Sequence, residues 1–331
     1  MIMRNILVAG GAGYIGSHIV KDLCEQNYNV IVYDNLSEGH REAVNSLREK
    51  NVDFVLADLN DSTALDNVFE KFKIDAVMHF AANAYVGESV INPEKYYKNN
   101  VSATINLFSS MLKYNVKNII FSSSCTTYGI PQYTPIDENH PQNPISPYGA
   151  SKIMVERIIT DYNKAYGLQY MIPRYFNAAG AHPDGSIGES HNPETHLIPL
   201  VLKTLTGEKE NIAIFGTDYD TPDGTCVRDY IHVCDLAAAH RLSLEALFSG
   251  NGNKCVNLGN GAGFSVKEII SLCEEITGMK VPVVITDRRP GDPPILTASS
   301  KYKEIIPDFV PRYNIYDIIR TAWEWEKNKK Y

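Results

Sequence analysis

Residues 6–16 read ILVAGGAGYIG, and this stretch decides the fold. The apolar run at its start predicts a buried strand, and the helical pattern that follows predicts a helix from about Ser17. Between them, Gly10, Gly13 and Gly16 form a turn in which no Cβ keeps a ligand away from the backbone. The turn can therefore bring backbone N–H groups and the positive end of a helix against a pyrophosphate.

An acidic residue follows this turn at the distance that a dinucleotide site requires. Asp34 ends the next predicted strand, about twenty residues further on, where its carboxylate can accept both ribose hydroxyls of an adenosine. Because the same charge repels a 2′-phosphate, we expect NAD rather than NADP. The glycine spacing is G-x-x-G-x-x-G, which points to one branch of the dinucleotide-binding folds.

Strand-like and helix-like segments alternate from residue 5 onward. Apolar β-branched runs are separated by longer stretches of helical periodicity, such as that from Ile105 to Leu112. Since right-handed crossovers leave few other topologies, the alternation predicts an α/β fold with a doubly wound parallel sheet of the Rossmann type. The predicted strands contain Ile6–Val8, Val30–Tyr33, Phe54–Leu56, Ala76–Met78 and Ile119–Phe121.

The pattern changes after about Tyr175, which predicts a second, smaller α/β lobe. Residues 177–194 and 216–224 are rich in turn-forming residues and are predicted to be loops beside a site. The helical pattern of 233–247 and the strand-like run 256–258 can return to the first sheet, so we expect interleaved lobes. The expected division is a dinucleotide domain of residues 1–176 plus about 229–260, and a substrate lobe of 177–228 plus about 261–331.

Two residues at the start of a long predicted helix carry the candidate chemistry. Tyr148 and Lys152 are four residues apart, which places both side chains on one helix face, although such pairs also occur on solvated faces. A lysine ammonium beside a phenol lowers the tyrosine pKa from ~10 toward neutrality, as a general base requires. Ser122 and Ser124 end the fifth predicted strand, where they offer hydroxyls to the same crevice or form ordinary strand-end hydrogen bonds. Beside a nicotinamide, this set can remove a proton from an alcohol while hydride leaves its carbon.

Composition and charge exclude several classes of protein. The 331 residues carry 31 basic and 39 acidic side chains, a net charge of −8, which argues against an electrostatic nucleic-acid binder. No apolar stretch approaches the ~20 residues that span a bilayer and no cleavable signal pattern is present, so we expect a cytoplasmic protein without a membrane partner. The six cysteines are scattered and histidines such as His191 and His232 stand alone, so we expect no metal site.

Together these motifs resemble a known family. The glycine turn, Ser124 and the Tyr148–Lys152 pair are similar to those of the extended short-chain dehydrogenase/reductase family, and within it to the UDP-glucose (UDP-galactose) 4-epimerases. The resemblance covers nearly the whole chain. The strings that carry it are Ala9–His18, Tyr33–Leu36, Val86–Ser89, Asn99–Val101, Ser122–Ser124, Arg174–Asn177, Val227–Val233 and Arg288–Asp292.

The resemblance implies a reaction that oxidises and then re-reduces one carbon. The Tyr148 phenolate would take the proton from the 4-hydroxyl of a UDP-hexose, assisted by Ser124, while hydride passes to NAD held by Lys152. The 4-keto sugar would then turn over and receive hydride on its other face. NAD would stay bound through the cycle. The family resemblance also implies a homodimer, built through the helices of 99–114 and 151–166, although the apolar stripes of these helices also suit packing within one chain.

The resemblance assigns binding roles along both lobes, some with simple structural alternatives. The lesser alternatives are a helix cap before Ser62 for Asp58 and surface salt bridges for Arg228 and Arg289, whereas Phe215 is equally suited to fill a core. The expected NAD contacts are Gly10, Gly13, Tyr14, Ile15, Gly16, Asp34, Asn35, Asp58, Leu59, Phe80, Ala81, Ala82, Asn99, Ser122, Tyr148, Lys152 and Phe176, and the expected substrate contacts are Ser124, Tyr148, Asn177, His196, Leu197, Ala213, Phe215, Arg228, Arg289, Asp292 and Leu296.

Three positions depart from the family pattern. Asn83 stands where some members carry a lysine near the cofactor, and His196 replaces an asparagine near the nucleotide. Leu296 aligns with a bulky tyrosine that closes the sugar pocket of strict UDP-glucose enzymes. The shorter side chain predicts room for a 2-acetamido group, so that UDP-N-acetylglucosamine would also be epimerised.

Other activities occur on the same fold. Sugar-nucleotide dehydratases carry an Asp-Glu pair just after the fifth strand, where this chain has Cys125 and Thr126, so elimination lacks its acid. Cys125 is expected to be a small apolar packing residue. A UDP-N-acetylglucosamine 4-epimerase or reductase, and a catalytically silent NAD-binding protein, remain as alternatives.

Overall fold

The computed structural model describes residues 3–45, 47, 51–289, 291–299 and 301–331. Pro290, which belongs to the string Arg288–Asp292, lies outside the described residues. Within the described ranges, no helix has both the length and the apolar character needed to cross a membrane.

A parallel sheet forms the larger part of the fold. All five predicted strands are present, and the strand-like run 256–258 does return to this sheet beside the strand that ends at Tyr175. The doubly wound α/β fold and the interleaved lobes are therefore confirmed. In spatial order the strands are β11 (Lys254–Leu258), β7 (Gln169–Tyr175), β5 (Asn118–Phe121), β4 (Ala76–His79), β1 (Asn5–Ala9), β2 (Asn29–Asp34) and β3 (Val52–Leu56), with the short β6 (Ser123–Ser124) paired to β7.

Both faces of this sheet are buried, because its central strands are apolar throughout. Successive side chains of a strand point to opposite faces, so such a strand must be covered on both sides. On β1, Val8 packs in one core cluster with Ile19 and Leu236, whereas Leu7 packs in another with Leu107. The helices of this part are α1 (Tyr14–Glu25), α2 (Glu42–Asn45), α3 (Ser62–Phe72), α4 (Val86–Ile91), α5 (Pro93–Tyr96), α6 (Ala103–Lys113), α7 (Pro147–Tyr166) and α9 (Val233–Phe248).

The smaller lobe has its own core and its own short strands. Ile198, Ile269 and Ile319 are buried together there, on three different helices. One sheet has the order β12, β10, β14, with β8 also paired to β10, and β9 pairs with β13. The elements are β8 (Asn177–Ala179), β9 (Ile212–Phe215), β10 (Val227–His232), β12 (Gly263–Ser265), β13 (Val283–Thr286), β14 (Ile295–Leu296), α8 (Leu197–Leu205), α10 (Val266–Thr277) and α11 (Ile315–Lys327).

Two local predictions are wrong at their boundaries. The first helix begins at Tyr14 rather than Ser17, because the Ser17 N–H already donates to the Gly13 carbonyl at 2.9 Å. The predicted loop 177–194 begins with strand β8, whose residues pair with β10. Both errors come from short segments whose structure is set by a neighbour and not by their own periodicity.

A buried ion pair joins helix α7 to the sheet. The Arg174 guanidinium donates to both carboxylate oxygens of Glu156, at 2.9 and 2.6 Å, and Ser123 Oγ donates to the same carboxylate at 2.5 Å. The two charged side chains are only 5% and 6% exposed. Removing one partner would leave the other charge buried and uncompensated.

We therefore predict that Glu156→Gln lowers the free energy of unfolding by about 3 kcal/mol, the scale expected when one half of a buried pair is lost. The control is Arg157→Gln, which breaks the neighbouring exposed pair with Asp161 and should change stability by less than about 1 kcal/mol. Urea unfolding measures both. Equal effects of the two substitutions would show that the buried pair does not hold the helix.

Candidate active site

The glycine turn lies against the end of β4 and leaves its outer side open. Gly10 has a φ of +80°, and a Cβ there would lie 2.4 Å from the Ala81 nitrogen, so only glycine fits. Gly13 precedes the first residue of α1, and a Cβ there would meet only the Gly10 carbonyl at 3.5 Å. Gly13 thus leaves space in front of a helix N-terminus, where an anion is favoured.

Asp34 is held beside this turn by backbone donors. Its carboxylate accepts the Ala12 N–H at 2.9 Å and the Leu36 N–H at 2.8 Å. Burial raises the pKa of Asp34, and the two backbone hydrogen bonds oppose that rise. Each carboxylate oxygen keeps a further lone pair, which a ribose hydroxyl can use.

Asp58 forms a polar group with Asn35 and does not cap the following helix. Asn35 Nδ2 donates to its carboxylate at 2.6 Å, and the Asn60 N–H donates at 2.8 Å. The cap of α3 is Asp61, which accepts the Ala64 N–H at 2.9 Å. The helix-cap explanation of Asp58 is therefore wrong. Leu59 beside it is buried, and residues 80–82 continue from β4 toward the glycine turn.

Asn100 is a buried residue whose part the sequence analysis missed. Its side-chain amide accepts the Asn83 N–H at 2.9 Å and donates to the Asn83 carbonyl and to Ser151 Oγ, both at 3.0 Å. It lies in a π-helical turn, Tyr97–Ser102, a feature frequent at functional sites. The string 99–101 was the signal in the sequence, but the expected NAD contact was assigned to Asn99. The side-chain amide of Asn99 donates to that of Asn100.

Tyr148, Lys152 and Ser124 meet at the carboxyl ends of the strands. Helix α7 begins at Pro147 and is capped by Ser146, which accepts the Gly149 N–H at 3.2 Å. Lys152 Nζ donates to the Ser122 carbonyl at 2.8 Å and lies 5.8 Å from the centre of the Tyr148 ring. Tyr148 and Lys152 therefore do share one face of the helix.

The expectation that Lys152 lowers the pKa of Tyr148 is wrong for the chain by itself. Burial raises the pKa of Tyr148, the nearby Tyr175 phenol raises it further, and the hydrogen bond with Ser124 offsets only part of this rise. Burial also lowers the pKa of Lys152 to about 8, against the attraction of Glu156. Desolvation outweighs the charge of the lysine, which is directed at a backbone carbonyl.

Cys125 packs in an apolar cluster, as expected. It is buried with Tyr128 and Phe176, and Leu296 packs against the same cluster. Burial raises the pKa of the Cys125 thiol to about 12, so the thiol stays protonated at neutral pH.

The expected substrate contacts of the smaller lobe come from both of its small sheets and from the segments beside them. Arg228 on β10 donates to Asp292 and to the Val227 carbonyl, and Leu296 on β14 lies beside it in register. The Arg289 guanidinium lies 3.7 Å from the centre of the Phe215 ring. Phe215 and Ala213 are both on β9. Asn177 on β8 donates to the Asp229 carbonyl at 2.8 Å, and Leu197 begins α8.

His196 precedes α8 and faces a cluster that the sequence analysis excluded. Its Nδ1 lies 2.8 Å from Glu189 Oε1 and 2.9 Å from Glu194 Oε1, and His191 lies beside the same two carboxylates. The prediction that His191 stands alone is therefore wrong. The loop turns back on itself, and the spacing E-x-H-x-x-E-x-H of residues 189–196 was the signal that could have revealed it.

Comparison with known proteins identifies the family of this chain. The model of the NAD dependent epimerase/dehydratase family matches residues 6–259. The chain belongs to this family.

Individual relatives narrow the similarity to 4-epimerases. The UDP-glucose 4-epimerase of Halalkalibacterium halodurans is 50% identical over 323 residues, which cover 97% of this chain and 95% of the relative. Among solved structures, a UDP-glucose 4-epimerase from Brucella ovis in complex with NAD is 50% identical, covers 97% of both chains and has a TM-score of 0.93. A UDP-Glc/GlcNAc 4-epimerase from Campylobacter jejuni is 40% identical, covers 98% of this chain and 99% of the other, and has a TM-score of 0.87. The family resemblance is confirmed.

Proposed function

We propose that this protein interconverts UDP-galactose and UDP-glucose by NAD-dependent inversion of carbon 4 through a 4-keto intermediate. The observation that carries the proposal is the meeting of Tyr148, Lys152 and Ser124 at the strand ends that also border the glycine turn. The similarity to UDP-glucose 4-epimerases over nearly the whole chain supports the substrate class.

The residues around the glycine turn fit NAD. The open side of Gly13 admits a pyrophosphate to the N-terminus of α1, and the fixed carboxylate of Asp34 can accept the adenosine ribose hydroxyls. When bound, NAD supplies a hydride acceptor and donor and a positive charge beside Tyr148. Since the reaction has no net redox change, the same NAD serves every cycle.

The remaining steps belong to the side chains of this chain. Tyr148 takes the proton of the 4-hydroxyl and, when carbon 4 regains hydride on its opposite face, returns the proton to the 4-oxygen. Ser124 hydrogen-bonds the phenol and the sugar oxygen, and Lys152 binds the nicotinamide ribose while its charge favours the phenolate. Because burial raises the Tyr148 pKa, the phenol acts as a base only when a further positive charge lies beside it.

A sugar that must turn over in the site requires tight binding of the UDP group at a distance from the reacting carbon. Arg228 and Arg289 are suited to the diphosphate, because guanidinium groups bind phosphate in bidentate fashion. Arg228 on β10 is oriented by its contact with Asp292, and Arg289, in the segment after β13, by its contact with the Phe215 ring. Asn177, Leu197 and Ala213 complete the proposed nucleotide contacts, and His196 lies at the edge of this group.

Tyr148→Phe removes the proposed base while keeping the ring, so we predict a fall in turnover of at least about 10²-fold. Proton NMR of the protein incubated with UDP-galactose, without added cofactor, measures the appearance of UDP-glucose. The control is Tyr166→Phe, an exposed phenol on the same helix, which should keep full activity. Undiminished turnover of Tyr148→Phe would refute this base. Failure of the unaltered protein, even with NAD added, would refute the epimerase.

A second candidate substrate is the N-acetylated UDP-sugar. Leu296 packs against the cluster that contains Cys125 and Phe176. Because Cys125 directly follows Ser124 in the chain, the size of the Leu296 side chain sets the space beside the proposed sugar position. The neighbour from Campylobacter jejuni is named for both UDP-Glc and UDP-GlcNAc, which supports this breadth.

We predict that Leu296→Tyr lowers kcat/KM for UDP-N-acetylglucosamine by at least about tenfold, because the larger ring fills the space of the acetamido group. The value for UDP-galactose should stay within about twofold. Leu296→Met conserves the side-chain volume and serves as the control, with both substrates retained. Unchanged N-acetyl activity in Leu296→Tyr would show that position 296 does not set the specificity.

We also propose that two copies of the chain form a dimer through α6 and α7. Ile105 on α6 and Met154 on α7 are 37% and 44% exposed, although both are large and apolar. A second copy that presents the same helices would bury them symmetrically. The double variant Ile105→Glu with Met154→Glu should therefore turn a dimer into a monomer in light scattering after size exclusion.

The matched control for the dimer is Val310→Glu with Tyr316→Glu, two exposed apolar residues of the smaller lobe. This variant should keep the mass of two chains. A monomeric unaltered protein, or a dimer that survives the α6 and α7 substitutions, would contradict the proposed interface.

A further inference from the structure

The loop that connects β8 to α8 gathers four side chains with metal-binding atoms. Glu189, His191, Glu194 and His196, here called the 189–196 cluster, each direct one nitrogen or oxygen atom to a common region, and these atoms all lie within 4.8 Å of one another. We propose that the 189–196 cluster binds one divalent transition-metal ion of the Zn²⁺ class. The proposal is independent of the epimerase activity, since none of its steps uses the ion.

The distances within the cluster suit a tetrahedral site. Glu189 Oε1 lies 3.1 Å from His191 Nδ1 and 2.8 Å from His196 Nδ1. Glu194 oxygens lie 2.9 Å from His196 Nδ1 and 3.5 Å from His191 Nδ1. Zinc bonds of about 2.0–2.2 Å to nitrogen and oxygen give tetrahedral edges of roughly 3.3–3.6 Å. The four carboxylate-to-imidazole distances lie near these values and the other two edges are at most 4.8 Å, so adjustments of up to about an ångström bring the four atoms to ligating positions.

Two atoms of the cluster have no other satisfactory partner in the described part of the chain. Glu189 Oε1 and His191 Nδ1 are both buried and form no hydrogen bond of good geometry, so their contacts are the ion pairs within the cluster itself. Glu189 itself is 6% exposed, so water does not compensate its carboxylate. Leaving such groups unsatisfied is costly, and a metal ion at their common centre removes that cost.

The charge of the cluster also matches a divalent cation. The carboxylates of Glu189 and Glu194 balance the charge of the ion, and two neutral imidazoles supply the nitrogen ligands that Zn²⁺ prefers. The alternative occupants are two protons. One divalent ion or two protons would each leave the cluster without net charge, and only the ion joins all four ligand atoms.

Four protein ligands make this site a structural one, because no position stays open for substrate. The surrounding contacts show what the ion would fix. The Glu189 carbonyl accepts from Trp325 Nε1 at 2.8 Å, and the His191 ring stands edge-on to Tyr14, with their centres 6.0 Å apart. Tyr14 is the first residue of α1, beside the glycine turn. The ion would thus tie the smaller lobe to the turn that faces NAD.

The test is metal content after exposure to Zn²⁺ and removal of free metal by gel filtration, measured by mass spectrometry of the element. We expect one equivalent of Zn²⁺ per chain in the unaltered protein. His191→Gln and Glu194→Gln should each retain less than about a tenth of an equivalent. His182→Gln is the matched control, a histidine of the same loop that pairs with Asp184 outside the cluster, and should bind as the unaltered protein does.

Cobalt substitution tests the same site without any variant. Co²⁺ in the unaltered protein should give the intense visible absorption of tetrahedral coordination, and added Zn²⁺ should abolish it. A folded, epimerase-active protein that retains no Zn²⁺ and shows only the weak spectrum of octahedral Co²⁺ would overturn the proposal and identify a cluster held by protons. Full retention of Zn²⁺ by the two ligand variants would also overturn it, because the ion would then lie elsewhere.

Discussion

The buried contact between Glu156 and Arg174 is the constraint on which the rest of the site depends. Tyr148, Lys152 and Glu156 recur every four residues along α7, so the helix stripe that carries the proposed chemistry also carries its anchor. Arg174 lies on β7 and Ser123 directly precedes Ser124. One carboxylate therefore aligns the helix with two strands. A helix held only by apolar packing could rotate or slide by an ångström, which would separate the phenol from the strand ends.

A second buried carboxylate joins the smaller lobe to the large sheet. Asp229 accepts the N–H groups of Asn260 and Ala298 at 2.8 and 3.0 Å, and that of Gly261 at 3.0 Å. Burial raises the pKa of Asp229 to about 6, against these three hydrogen bonds. The residue follows Arg228 and connects the strand of the proposed diphosphate contact to the segments after β11 and β14. The position of the nucleotide anchor thus depends on the return of the chain to the sheet.

The features predictable from the sequence are those that a short window of residues determines. Apolar β-branched runs located the strands around Ile6 and Ile119, and four-residue spacing located Tyr148 and Lys152 on one helix face. The hydrogen bonds of Asn100 were not predicted, because its partner Ser151 lies 51 residues away and no local pattern indicates that contact. The Tyr148 pKa was mispredicted since the charge of a neighbour can be inferred from spacing, whereas the loss of hydration depends on the whole surrounding core. The 189–196 cluster is local, but its spacing indicates a site only when the two glutamates and the two histidines are taken together.

Burial of Tyr148 has a consequence for the proposed reaction. In the chain alone, desolvation keeps the phenol protonated, and Lys152, with its pKa lowered to about 8, carries only a marginal charge at mildly alkaline pH. The positive charge of a bound nicotinamide would stabilise the phenolate, and no bulk water would screen this interaction in the buried site. Tyr148 would therefore ionise beside the oxidised cofactor, and its pKa would rise again once that positive charge is neutralised. Tyr148 would thus hold the proton while the sugar is a 4-ketone and give it back to the 4-oxygen when hydride returns to carbon 4, so the buried phenol would serve first as base and then as acid.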